Sequence, residues 1–142
     1  MQKVTITKKF EFSASHRYWH NDWSAEKNKE VFGAGTSKYG HGHNYELHIT
    51  AGGRINPDTG MIINLTDLKK IVNHVLQDFD HKFLNVDTPF FKDKQPSTEN
   101  IALTLFELIE KRLLKEQDDI QLQHIRLYER SDVYADVWKE AE

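Results

Sequence analysis

Two histidines one residue apart, His41 and His43, are the most specific chemical signal in this chain. From His41 the odd positions run His41, His43, Tyr45, Leu47, Ile49 and Ala51. That alternation predicts a strand, which sends both imidazoles out of one face with Cα atoms roughly 6.6 Å apart, near enough to converge on one ion. The even positions Val4, Ile6, Lys8, Phe10, Phe12 and Ala14 read as another strand, and His16 continues its inward phase. If the two strands are neighbours, His16, His41 and His43 offer three neutral nitrogens and one open position, the arrangement of a catalytic zinc rather than a structural one. A satisfied pair of core histidines is the alternative reading of the same spacing.

Three further groups could carry chemistry. In Asp80-His81 a carboxylate beside an imidazole can fix its tautomer and raise its basicity for proton transfer. The competing reading is a solvated pair at a helix end. Glu129 shares phase with Ile125 and Leu127, so its carboxylate lies on an apolar face where an unpaired charge is costly. Either a ligand with two N–H donors meets it through a bidentate contact, or Arg112, Arg126 or Arg130 pairs with it. Thr98-Glu99 reads on its own as a helix start.

The elements that must position these groups are legible as periods. Arg17 to Tyr39 is a long connection of a kind uncommon in compact domains unless it is functional. Met61 to Leu65 reads as a third strand after the turn at Asn56-Pro57-Asp58-Thr59-Gly60. Asn64 or Thr66 caps a helix carrying Leu68, Ile71, Val72, Val75, Leu76 and Phe79, which stops at Asp80-His81. Ser97 or Thr98 caps a second, with Ile101, Ala102, Leu105, Leu108, Ile109 and Leu113 on one face. Ile120 to Glu129 and Tyr134 to Trp138 read as two closing strands. This order predicts an α+β domain, an antiparallel sheet with helices on one face, whose other face is covered by self-association.

Composition sets the bounds. With 142 residues, 38% hydrophobic and 29% charged, the chain reads as a single packed domain over 1–142. The absence of Cys removes disulfides, thiolate metal sites and thiol catalysis, so any metal must use His and carboxylates. A net charge of −3 disfavours a general nucleic-acid or anionic-membrane partner. No apolar stretch is long enough for a membrane span, and the start at Met1-Gln2-Lys3-Val4 carries no secretory apolar region. The expectation is a cytoplasmic protein whose partners are small molecules or itself.

Several segments together resemble one family. Phe12-Ser13-Ala14-Ser15-His16-Arg17, Tyr39-Gly40-His41-Gly42-His43-Asn44-Tyr45, Gly60-Met61-Ile62-Ile63-Asn64-Leu65-Thr66-Asp67-Leu68-Lys69 and Asp80-His81-Lys82 follow one another as in the 6-pyruvoyltetrahydropterin synthase family. That family includes the 6-carboxytetrahydropterin synthases, and the resemblance runs from about residue 4 to residue 138. It implies the tunnelling fold: a four-stranded antiparallel sheet with two helices on one face, sheets joining into a trimeric β-barrel, and two trimers stacking into a homohexamer. It implies a zinc held by His16, His41 and His43, a proton relay at Asp80 and His81, and a pterin-anchoring Glu129. Ser97, Thr98, Glu99 and Asn100 match the segment that lines the pterin pocket.

The implied reaction is elimination of triphosphate from 7,8-dihydroneopterin triphosphate by a lyase of the 6-pyruvoyltetrahydropterin synthase type, in tetrahydrobiopterin biosynthesis. The gap between His16 and His41 resembles the pyruvoyl branch. One departure stands out: the family's usual catalytic Cys falls at Gly35, with Thr36, Ser37, Lys38 and Tyr39 nearby and Glu30 the nearest loop carboxylate. A 6-carboxytetrahydropterin synthase-like enzyme and a pterin-binding protein without turnover are the alternatives. Arg17, Lys27, Lys29 and Lys38 are the cations placed by sequence to meet triphosphate.

Overall fold

The alternating residues read from the sequence do form the two long strands that hold the histidines. The computed structural model describes residues 2–141. Met1 and Glu142, the ends of the expected 1–142 domain, lie outside the described residues. Strand β1 spans Thr5–His16 and β2 spans His41–Gly52. They pair antiparallel along their whole length, with His16 opposite His41 and Ala14 opposite His43. Helix α1, Ala25–Phe32, and a short 3-10 turn at Gly33–Thr36 lie between them. Helix α2 (Leu65–Leu76), the two-residue β3 (Lys82–Phe83), a one-turn α3 (Leu84–Asp87) and α4 (Thr98–Glu116) follow. Strands β4 (Gln121–Arg130) and β5 (Val133–Trp138) close the chain.

The sheet order is β3-β1-β2-β4-β5. All neighbours are antiparallel except β3, which runs parallel to β1 beside Ala14 and Ser15. The expected four-stranded antiparallel sheet is therefore corrected to five strands. The expected strand at Met61 to Leu65 is not formed. Both edges of β2 are already occupied by β1 and β4, and Asn64 accepts from the Thr66 N–H to start α2 within this stretch. The long connection also differs from expectation in containing α1. Ser24 caps that helix through the Lys27 N–H, and its only buried residue is Asn28. Asn28 accepts from the His20 N–H and donates to the carbonyls of His20, Trp23 and Ser24, so a polar side chain holds the segment together.

One sheet face carries the core. Phe10, Phe12, Tyr45, Leu47, Ile49, Ile125 and Leu127 meet Leu68, Ile71, Val72 and Val75 of α2 and Ile101, Leu105 and Ile109 of α4. Burial of these side chains is the main favourable contribution to folding. Leu47 is fully buried at the centre of β2, so Leu47→Ala should cost about 2–5 kcal/mol in urea unfolding. A loss below about 1 kcal/mol would mean this position is not core.

The other face is polar and aromatic. Arg126 Nε and His124 Nε2 lie 2.8 Å and 2.7 Å from Asp136 Oδ1, and the Trp138 ring stacks on His124 at 3.9 Å. The Arg126 hydrogen bond first, then that of His124, holds the Asp136 carboxyl below the usual carboxylate range. The resulting stability is complete above the unfolded-state pKa of about 4 and is lost as pH falls through the lower folded-state value. Asp136→Asn should therefore be less stable than the parent at pH 7, with the gap closing under acid conditions. A gap unchanged down to pH 2 would mean that the carboxylate charge contributes nothing. Among the described residues, no helix is long and apolar enough to cross a membrane.

Candidate metal centre

Pairing of His16 with His41 brings the three imidazoles together at the end of the β1-β2 ladder. One nitrogen from each of His16, His41 and His43 lies within 4.8 Å of the other two. His16 is fully buried, and its Nδ1 lies 2.6 Å from the Pro96 carbonyl oxygen. A carbonyl accepts only, so Nδ1 carries the proton and Nε2 keeps its lone pair. That Nε2 lies 3.2 Å from His41 Nε2. Burial holds the pKa of both His16 and His43 below the ordinary imidazole value, which favours the neutral ligand form.

These residues fit a metal ion. His43 Nε2 is buried with no hydrogen-bond partner, and such orphans in a native fold call for a ligand. Three neutral nitrogens suit zinc, copper, iron or nickel rather than calcium or magnesium.

Glu129 reaches the same place from β4. Tyr128 pairs with Tyr134 and Arg130 with Val133, so Glu129 is the extra residue of a bulge that re-aims its side chain. Its Oε1 lies 3.4 Å from His43 Nε2 and 3.9 Å from His16 Nε2. The arginine alternative does not occur: Arg126 pairs with Asp136, Arg130 with Asp132 and Arg112 with Glu116. The start of α4 forms another wall. Ser97 caps the helix by accepting from the Asn100 N–H, Thr98 is buried, Glu99 lies exposed in the first turn, and Pro96 supplies the carbonyl to His16.

Two tyrosines pack against the imidazoles, Tyr18 on His16 and Tyr45 on His43, neither singled out as functional from the sequence. The Tyr18 ring lies 5.0 Å from that of His16, and burial, then Glu129 and Glu99, push its hydroxyl up to about 12. The Tyr45 hydroxyl is buried without a partner, and burial followed by Glu129 raises it further. Tyr45 was visible as an inward position of β2. Tyr18 follows the end of a strand, where periodicity carries no signal.

Asp80 and His81 lie beside the cluster without bonding to it. His81 Nδ1 lies 3.1 Å from Asp80 Oδ1, and Asp80 accepts from the Ser13 N–H at 2.9 Å. His81 is 82% exposed, with a left-handed φ of 61°. It lines a shallow cleft with Ser13, Ser15, Gly42 and Asn44, and His43 of the imidazole cluster borders the same cleft. Among the described residues, no hydrogen bond or ion pair links the Asp80-His81 pair to the imidazoles. Of the proposed cations, Arg17 and Lys38 line a cleft of about 800 Å³, joined by Lys92 and Lys94, which the sequence reading missed. Lys27 instead lies 4.3 Å over the Trp23 ring, and Lys29 and Glu30 are exposed on α1.

Comparison with known proteins agrees with this fold. A family described as 6-pyruvoyl tetrahydropterin synthase matches residues 5–140. The 6-pyruvoyl tetrahydrobiopterin synthase of Poecilia reticulata is 46% identical over 109 residues, 76% of this chain and 74% of that protein. The human protein of the same name is 41% identical over 112 residues, 78% of this chain and 77% of its own length. The solved 6-pyruvoyl tetrahydropterin synthase of Caenorhabditis elegans superposes with a TM-score of 0.90 at 31% identity, covering 99% of this chain and 98% of that one.

Proposed function

The chain belongs to the 6-pyruvoyl tetrahydropterin synthase family, and from that premise we propose that it is a zinc-dependent lyase that eliminates triphosphate from 7,8-dihydroneopterin triphosphate. The observation that carries this reading is the three-imidazole cluster, with its orphaned His43 Nε2, lying against an arginine-free Glu129. His16, His41 and His43 are the zinc ligands. When bound, zinc supplies Lewis acidity that eases removal of a proton beside the substrate's side-chain hydroxyls.

Glu129 accepts two N–H bonds from the pterin ring and thereby orients the side chain toward the imidazoles. Thr98 and Glu99 border that ring from the start of α4. Arg17, Lys38, Lys92 and Lys94 offer the positive charge that triphosphate requires. Asp80 and His81 act as the proton relay. Their exposure, with no hydrogen bond to the imidazoles among the described residues, supports a relay completed at the site by an adjoining copy within a homohexamer. Exposed Tyr134 and Trp138 on β5 supply apolar surface for such assembly. The working compartment on this reading is the cytoplasm.

The test is incubation of the zinc-loaded chain with 7,8-dihydroneopterin triphosphate, with triphosphate release and the pterin products followed by chromatography. Release that is lost on chelation and regained with zinc is expected. Pterin binding with no release under any loading would replace the lyase with a binding protein, a reading that Gly35, lacking any reactive side chain, would then explain.

A further inference from the structure

Gly35 is buried, and its backbone does not require a glycine. It is absent from the positive-φ glycines, which are Gly33, Gly40, Gly53 and Gly60. What excludes a side chain is space. A Cβ at position 35 would lie 2.5 Å from Tyr18 Cδ2 and 3.4 Å from Cε2 and Cγ, and real Cβ atoms essentially never approach other atoms as closely as the first of these. The obstacle is not a loose side-chain tip. The Tyr18 N–H donates to the Gly35 carbonyl at 2.8 Å, and the ring stacks on Phe32 at 5.7 Å, which itself stacks on Trp23. Arg17, next in the chain, donates from Nε to the Thr36 carbonyl, so residues 17 and 18 are tied to the 3-10 turn together.

The ring therefore occupies the ground that a residue-35 side chain would need. It stands beside His16, the two ring centroids 5.0 Å apart. We propose that Tyr18 and Gly35 form one unit: the glycine makes room for the ring, and the ring presents its hydroxyl as a hydrogen-bond donor to an oxygen of the pterin substrate's side chain. This rests on the lyase reading for its ligand, but the packing half stands independently of it.

A melting cycle and a binding measurement test the two halves. Gly35→Ala should lower the thermal midpoint by roughly 3–10 °C through overpacking. In a Tyr18→Ala background the same substitution should cost almost nothing, because the ring is gone. An equal cost in both backgrounds, or none in either, overturns the steric pairing. Tyr18→Phe keeps the ring, so zinc content and thermal midpoint should hold. Its dissociation constant for 7,8-dihydroneopterin triphosphate, read by pterin fluorescence, should rise about tenfold for one lost hydrogen bond. Unchanged affinity and turnover in Tyr18→Phe overturn the role of the hydroxyl. A parent chain that binds no pterin sinks the lyase reading and the hydroxyl's role with it, while the melting cycle still decides the pairing.

Discussion

His41→Ala should fall from one bound zinc per chain to under a tenth of an equivalent after dialysis, as read by elemental analysis. The loss follows from donor count. A three-nitrogen site reduced to two keeps neither its coordination number nor its charge-donating set, and the penalty should exceed the 10–100-fold typical of an outer partner. His41 is the informative position because it is exposed at the end of β2, so its removal leaves the core intact. His16 is less clean. Its ring is buried and bonded to the Pro96 carbonyl, and Ala there both removes a donor and leaves a void. Circular dichroism of His41→Ala should match the parent. Stoichiometric zinc in that variant would remove the site.

Glu129→Gln should weaken pterin binding on the order of 100-fold while leaving zinc in place. The substitution keeps shape and volume but exchanges one accepting oxygen for a donating NH2, so a two-donor ring edge meets one acceptor and one clashing donor. The charge-assisted component is lost as well. Because Arg112, Arg126 and Arg130 each have their own acidic partner, no arginine is left unpaired by the change. The fold should therefore be unaffected. If Glu129→Gln bound pterin like the parent, the carboxylate would not be the anchor.

The parts of the fold that were legible in the sequence are those that repeat. Phe10, Phe12 and Ala14, then Tyr45, Leu47 and Ile49, alternate because every second residue of a half-buried strand meets the core, and this alone put His16, His41 and His43 in phase. The faces of α2 and α4 were legible for the same reason. What periodicity misses is structure held by single polar contacts. Helix α1 buries only Asn28 and so carries no apolar stripe. Strand β3 has two residues, too few for any period, and the stretch Met61 to Leu65 gives way to the Asn64 cap of α2.

The site divides along the same line. The three-histidine cluster followed from strand phase, whereas the freedom of Glu129 depended on where three arginines turn, which sequence left open. Lys92 and Lys94 join the cationic cleft only through the fold of the segment before α4. Gly35 read as a missing residue in sequence; in space its place is taken by Tyr18, seventeen positions earlier in the chain.

A crystal of the zinc-loaded chain soaked with a dihydropterin, with diffraction collected on both sides of the zinc absorption edge, tests the central claim most directly. The account predicts one anomalous peak per chain bounded by His16 Nε2, His41 and His43, with the pterin ring held by Glu129. A peak elsewhere, or a pterin bound away from Glu129, would contradict it.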